Sequence, residues 1–536
     1  MTTQGIQGQA DNAARKSSDA SKRSYDAHEA RGALTETTLP DLNEIESKLP
    51  PPLSLSAAEE SKLYRKIDLR IMPMLTLMYV CSFLDRGNIG NAKLQGLTTQ
   101  LHLVGNQYNI ALALFFVPFC VVDFPASLVT KKFRPSRLPS CSLEYLFLSL
   151  PNRYPQLVGV RVALGTAEAG FFPGVAWYLS IWYPRHKLQF RIGLFWGGAT
   201  IAGAFSGILA YGISFMSGVG GKLGWSWIFI LEGCFTVLVG FASLFILIDF
   251  PTNAKFLTPE ERAYVIWRKT HTHRFCAEYD NSLVGEEESW SFRHLWEAFS
   301  DWQLWTHVLI YMSIIGPLYG ISFFLPFGFS PASSQLLTVP PYIFATFVTV
   351  GFALLSDRTE YRFPFILAGH AMCILGFGIQ ISNAGFAVKY FGTFFCVAGS
   401  YAAFPGVITW LANNVAGQYK RGAAIPLHIG FGNFAGSISS VLYRTQDAPR
   451  YILGGACPLP SEILLSAHML TSPLDALELM FVGIGITVLA LNVVVYRRIN
   501  ARREVHMQET EEKGIAYSAA QLKAMGDRAP DFRYTL

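Results

Sequence analysis

The sequence predicts an all-α integral membrane fold of twelve spans, and three observations carry that expectation. Of 536 residues, 51% are hydrophobic and only 15% charged, against roughly 25% charged in an ordinary soluble domain. Apolar windows of about 20 residues, the length that crosses a bilayer as a helix, recur along the chain. Basic residues gather at the ends of alternate windows rather than on one face, the asymmetry that orients membrane helices. The same distribution argues against nucleic-acid binding, which needs a basic patch.

Eleven windows are clear: 71–92, 110–130, 157–182, 192–215, 225–250, 305–329, 339–355, 363–381, 386–411, 423–442 and 477–496. Clusters such as Lys131, Lys132, Arg134 and Arg137, then Arg185, Lys187 and Arg191, then Arg497, Arg498, Arg502 and Arg503, mark one side of the membrane. By the positive-inside rule that side is cytosolic, and both termini lie there. The clusters at 131–137 and 185–191 must share it, yet only one clear window separates them. A further crossing is therefore required within 138–156, LPSCSLEYLFLSLPNRYPQ, whose apolar run is short and broken by Pro139, Glu144, Pro151 and Arg153. It is expected to be a truncated third span, which makes twelve.

The flanks differ in composition. Residues 1–54 are polar and rich in Ser, Thr and Ala, ending in consecutive prolines, and read as a disordered cytosolic tail. Residues 55–70 read as an amphipathic helix leading into the first span. The expected domains are an N-terminal six-helix bundle (55–250), a cytosolic linker (251–302), a C-terminal six-helix bundle (303–498) and a cytosolic tail (499–536). In the linker, Thr258, Pro259 and Glu261 form the signature of a capping box at a helix start. The eight cysteines are scattered without metal or redox spacing. No nucleophile–base set or metal cluster appears on the spans, so an integral-membrane enzyme, a cofactor or a bound metal is not expected.

Ionisable residues inside the windows carry the chemistry, because each costs about 2.5–3.5 kcal/mol at a helix centre. Arg161 and Glu168 are seven residues apart, about two helical turns, so they share a face roughly 10.5 Å apart along the axis. Gly165 lies between them and admits close approach by a neighbour. A fixed cation beside a titratable carboxylate suits binding of an anion together with a proton. An interhelical salt bridge that only fixes packing is the other reading.

Several segments together resemble one family. FLDRGNIGNAKLQGL (83–97), RVALGTAEAGFFPG (161–174), PTNAKFLTPEER (251–262), LLTVPPY (336–342), WLANNVAGQYKRGAA (410–424), IGFGNFAG (429–436) and YRTQDAPRYILG (443–454) are similar to the anion:cation symporters of the major facilitator superfamily. The fungal allantoate, pantothenate, biotin and nicotinate permeases are the nearest branch, and GDRAPDFRYTL (526–536) resembles the ending of many of them. The resemblance implies a twelve-span, 6+6 major-facilitator architecture and a monomer in the lipid bilayer. It further implies proton-coupled symport of a small organic anion across the plasma membrane. A metabolite or toxin exporter and a non-transporting nutrient sensor are the competing functions. The fifth window lacks the Gly-Pro motif common in antiporters.

The resemblance also implies roles. Arg161 matches the anion-binding arginine of the family's fourth span, and Glu168 its proton-coupling glutamate. First and fourth spans line the cavity, so Asp85 is a second proton carrier and a partner for Arg161, with Arg86 alongside. Asn88 and Asn91 extend a polar stripe from Asp85, either toward the cavity or as packing devices. Asp123, with Lys131 after it, and Asp357 with Arg358 are gating residues. Tyr319, His428 and Asn433 are substrate-side candidates of the C-terminal half, with packing as the alternative. The connection 326–338 is shorter than is usual in the family.

Overall fold

The computed structural model describes residues 55–132, 153–248, 250–275, 292–324, 331–382, 384–416, 418–442, 473–513, 517, 522 and 525–536. The chain divides into Met1–Pro51 and Pro52–Leu536, and every described residue belongs to the second unit. The expected truncated third span falls largely in 133–152, outside the described residues, as does the first part of the connection 326–338.

The described residues form helices and turns, with no strand. In chain order the helices are α1 Ala57–Leu94, α2 Gln107–Lys132, α3 Tyr154–Glu168, α4 Phe171–Trp182, α5 Arg185–Ser214, α6 Gly224–Ile246 and α7 Pro259–Phe275. They continue with α8 Phe292–Phe299, α9 Trp302–Phe324, α10 Pro331–Thr359, α11 Phe363–Ile381, α12 Phe386–Asn414, α13 Gln418–Leu442 and α14 Pro473–Glu512. Among the described residues, nine helices are long and apolar enough to cross a bilayer: α1, α2, α5, α6, α9, α10, α11, α12 and α14. The other two windows are helical as well, one as α13 and one as the pair α3 and α4. Lipid offers backbone groups no partner, so helices that satisfy themselves internally are the stable solution.

Local chemistry sets the helix starts. Ser56 and Glu59 form a capping box at α1, with Glu59 N donating to Ser56 Oγ at 3.4 Å and Ser56 N to Glu59 Oε2 at 2.9 Å. The expected box before α7 is present too, with Glu261 N to Thr258 Oγ1 at 3.1 Å and Thr258 N to Glu261 Oε2 at 2.9 Å. Along 57–71, Leu63, Tyr64, Ile67 and Ile71 are buried at helical spacing while Arg65, Lys66, Leu69 and Arg70 are exposed, which is the amphipathic lead-in. Its charges tie neighbouring helix ends together: Lys66 to Glu261 at 2.7 Å, Lys187 to Glu60 at 2.9 Å, and Arg191 to both oxygens of Asp68.

The window 157–182, expected to be one helix, is broken after Glu168. Ala169 has ψ 139°, and Gly170 has φ 79°, a left-handed conformation that favours glycine. A Cβ on Gly170 would also stand 2.7 Å from that of Ala126. Asp123 Oδ1 accepts from Gly170 N at 2.9 Å, which satisfies a free N–H at the start of α4 and places a carboxylate at that helix's positive end.

Helices of the two halves pack in matched pairs, α2 along α13 and α5 along α10. An aromatic layer also joins them: Trp196 of α5 stacks on Phe404 of α12 and donates Nε1–H to the Tyr401 carbonyl at 3.2 Å. Phe83, Phe172 and Tyr79 pack around it. At the end of the bundle where α12 finishes and α13 begins, the final residues are docked rather than loose. Thr535 N donates to Asn414 Oδ1 at 2.8 Å, Trp410 Nε1 donates to Thr535 O at 2.9 Å, and Tyr534 stacks on Tyr496 at 4.6 Å. Lys420 holds Asp301 at 2.6 Å and Asp527 at 2.8 Å. Burial opposes its charge, but the two carboxylates more than offset that and keep the ammonium above the ordinary lysine pKa.

Candidate functional site

The face of α3 carries the site. Arg161, Gly165 and Glu168 are all buried along it. A Cβ on Gly165 would collide with the Phe115 carbonyl and meet the Pro118 ring, so glycine is what lets α2 lie against α3. That approach brings Phe115 beneath both guanidiniums, 5.9 Å from Arg161 Cζ and 5.6 Å from Arg86 Cζ; Phe119 lies 4.8 Å from Arg86. Arg86 Nε donates to Glu168 Oε2 at 2.5 Å, and Arg86 Nη1 donates to the Tyr319 hydroxyl at 3.1 Å. Three of the expected residues, on α1, α3 and α9, thus meet at one point. Tyr319 also packs edge-on against Phe116 at 4.7 Å. The guanidinium therefore touches both halves of the chain, and cation–π contact with the two phenyl rings supports it away from water.

Asp85, expected to pair with Arg161, instead turns its carboxylate to α6, accepting from Thr236 Oγ1 at 2.9 Å. One turn outward, Asn88 donates Nδ2–H to Glu232, also on α6. Glu232 was missed in the sequence reading, although the cost of a carboxylate at depth singles it out as it does Glu168. Asn91 bonds Ser206 of α5 at 2.5 Å, so the two asparagines face different neighbours.

Other expected residues lie apart. His428 Nε2 contacts the His307 carbonyl at 3.0 Å and its ring meets Tyr311 at 4.9 Å; Asn433 Nδ2 reaches the Tyr311 hydroxyl at 3.3 Å. Both join α13 to α9 at Tyr311 and His307, two to three turns before Tyr319. Asp357 sits at the foot of α10, near its C-terminus, where Oδ2 accepts from Phe190 N at 2.8 Å and Oδ1 from Arg362 at 3.2 Å. It thereby ties α10 to α5, while Arg358 is exposed. Asp123 is fully buried and caps α4 instead of reaching that foot. Lys131 belongs to α2, but its side chain lies outside the described residues.

Above the Arg86 cluster, a cleft opens between α1, α5, α9 and α10, lined by Asn91, Ser206, Ser322, Gln335, Thr338 and Tyr342 among others. Below it stands the aromatic layer of Trp196 and Phe404. A buried set of opposite charges, sealed beneath and flanked above by neutral polar groups, can take up an anion in exchange for one of its own carboxylates. Among the described residues no group of three or more His, Cys, Asp or Glu could hold a metal ion.

Comparison with known proteins identifies the family and the fold. The profile of the Major Facilitator Superfamily matches residues 75–442. The chain is 32% identical over 511 residues to the "MFS-type transporter cnsO" of Penicillium expansum, covering 90% of this chain and 92% of that one. It is 28% identical over 489 residues to the "High-affinity nicotinic acid transporter" of Saccharomyces cerevisiae, covering 89% and 85%. Among solved structures, the proton:xylose symporter XylE superposes with a TM-score of 0.55 at 15% identity, over 78% of this chain and 94% of that one. A bacterial homologue of the human lysosomal transporter Spinster gives 0.53 at 14%, over 80% and 96%. Paired helices around a buried charge cluster, and a family profile spanning most of them, lead to one conclusion: the chain belongs to the Major Facilitator Superfamily and is a multi-pass membrane transporter.

Proposed function

We propose that the protein is a plasma-membrane symporter that moves a small organic anion together with protons. The expected cargo is a carboxylate vitamin or nitrogenous acid such as nicotinate, pantothenate or allantoate. The observation that carries this reading is Arg86 held between Glu168 and Tyr319, with Arg161 on the same buried face. Protonation of Glu168 weakens its hold on Arg86, and the planar guanidinium then offers its paired N–H groups to a substrate carboxylate, with Arg161 completing the clamp. Asp85 is the second acid of the N-terminal half. The two halves rock about this point, so that the outer cleft and the cytosolic side open in turn. The name of the Saccharomyces cerevisiae relative supports a carboxylate cargo.

The test is uptake of a panel of radiolabelled carboxylates by cells expressing the chain, with and without a proton uncoupler. Uptake of at least one member that collapses with the uncoupler is expected. Uptake that ignores the uncoupler would remove proton coupling. Efflux without uptake would point to export, and binding without flux to a sensor.

A further inference from the structure

We propose a second proton-binding site on the opposite side of α1 from the Arg86–Glu168 pair, centred on Glu232. The inference deepens the symport reading and rests on it for the coupling ratio, but not for the site itself.

The geometry is a two-rung ladder between α1 and α6. Thr236 donates to Asp85 at 2.9 Å, and Asn88 donates to Glu232 one turn further out. Glu232 is 6% exposed and Asn88 fully buried. The other carboxylate oxygen of Glu232 and the amide oxygen of Asn88 have no hydrogen-bond partner among the described residues. A buried carboxylate with so little support strongly favours its neutral form. An asparagine suits both states, since its NH2 donates to a carboxylate and its C=O accepts from a carboxylic acid.

Charge balance points the same way. In the middle of α1–α6 four buried carboxylates, Asp85, Asp123, Glu168 and Glu232, face two guanidiniums, Arg86 and Arg161, and a further buried carboxylate, Glu478 of α14, lies beside Gly316 one turn from Tyr319. Glu168 has Arg86, Asp123 has the N-terminus of α4, and Asp85 has the hydroxyl of Thr236. Glu232 has only an amide. Cys81 is the other titratable group beside this ladder, and as a thiol it adds no cation. The proton that Glu232 binds is therefore separate from the one that unlocks Arg86, and transport takes two protons per monoanion.

Infrared difference spectroscopy of the full-length protein in lipid tests the site without any substrate. One component of the carbonyl stretch of protonated carboxylic acids is expected at neutral pH in the wild type, lost in Glu232→Gln and retained in Glu168→Gln, Asp85→Asn and Glu478→Gln. Asn88→Leu should shift the band, because it removes the hydrogen bond while leaving the acid. A spectrum unchanged in Glu232→Gln would overturn the proposal. So would loss of the band on adding sodium at fixed pH, which would assign the site to an alkali cation. The coupling ratio is read separately, from labelled nicotinate in proteoliposomes with one unit of pH gradient and the potential clamped to zero. Each coupled proton then contributes a factor of about ten to accumulation, so the wild type should reach about 100-fold and Glu232→Gln about tenfold. Equal accumulation by both would overturn the second proton while leaving symport intact. No gradient-driven accumulation by either, with the infrared band present, would sink the symport reading and leave the site.

Discussion

A double-substitution cycle on Arg86 and Glu168 gives the sharpest test of the central pair. The side chains are 8% and 5% exposed and 2.5 Å apart. With charge centres at about 3.5 Å and an effective permittivity near 20, their attraction is roughly 5 kcal/mol. Desolvation of two ions offsets most of that, so the pair adds little net stability. Removing one partner is different. Glu168→Gln takes from Arg86 the carboxylate its Nε donates to, leaving it the Tyr319 hydroxyl and two phenyl rings, and Arg86→Met takes from buried Glu168 the cation bonded to its Oε2. Each single change should cost about 3–5 kcal/mol, whereas the double substitution should cost less than either. The measurement is the midpoint of thermal inactivation of folding, followed by fluorescence size-exclusion in detergent, for the wild type and three variants. Two low midpoints with substantial recovery in the double variant are expected. The double variant should also reach the membrane and transport nothing, because its stability is repaired and its anion site is gone. Additive losses would refute the pairing, and transport by the double variant would refute its place in the mechanism.

Four further outcomes follow from other contacts. Arg161→Lys keeps the charge but loses the planar fork, so uptake should fall at least tenfold at unchanged surface expression, measured as initial rate per cell-surface tag. Glu168→Gln should abolish uphill accumulation while exchange of labelled for unlabelled substrate survives, read in counterflow assays. Gly170→Ala places a Cβ against Ala126 in a left-handed backbone, so expression of folded protein should drop, consistent with a cost of about 1–3 kcal/mol. Lys420→Met leaves Asp301 and Asp527 facing each other; the C-terminal residues should undock, seen as faster labelling of a cysteine placed at Thr535.

Much of this site is legible in the sequence because charge at membrane depth is costly and therefore conspicuous. Arg161, Gly165 and Glu168 share a face as their spacing requires, and the paired burial of Arg86 and Tyr319 follows from helices meeting there. What spacing does not specify is which cation meets which anion. Arg86, one residue past Asp85, points toward α3, while Asp85 turns to α6; a 100° step on a helix decides that, and it depends on how α1 is rotated by packing. Glu232 escaped for a different reason. It stands alone in α6, with no second charge at helical spacing to draw attention, and its partner Asn88 lies 144 residues away. The break after Glu168 had a local signal in Gly170 with Pro173 beyond it, yet the hydropathy of 157–182 is uniform and masks it. Docking of the final residues depends on side chains from α9, α12, α13 and α14, which only the assembled fold brings together.

The position of Arg86 also bears on how binding and motion are joined. Its bond to Glu168 lies within the N-terminal half, whereas its bond to Tyr319 crosses to α9. The inner contact of Asp357 with Phe190 and the stack of Trp196 on Phe404 cross between halves too. If the two halves rock, opening on the side of Asp357 must part these contacts, while opening on the other side must widen the cleft beside Ser322 and Tyr342. A substrate carboxylate that displaces Glu168 from Arg86 while keeping Tyr319 would retain a link across the halves in the closed state. Proton binding without substrate would leave that guanidinium poorly compensated and the closed state costly. Substrate and proton would then each favour closure only when both are present, which is the thermodynamic requirement for coupled rather than leaky transport.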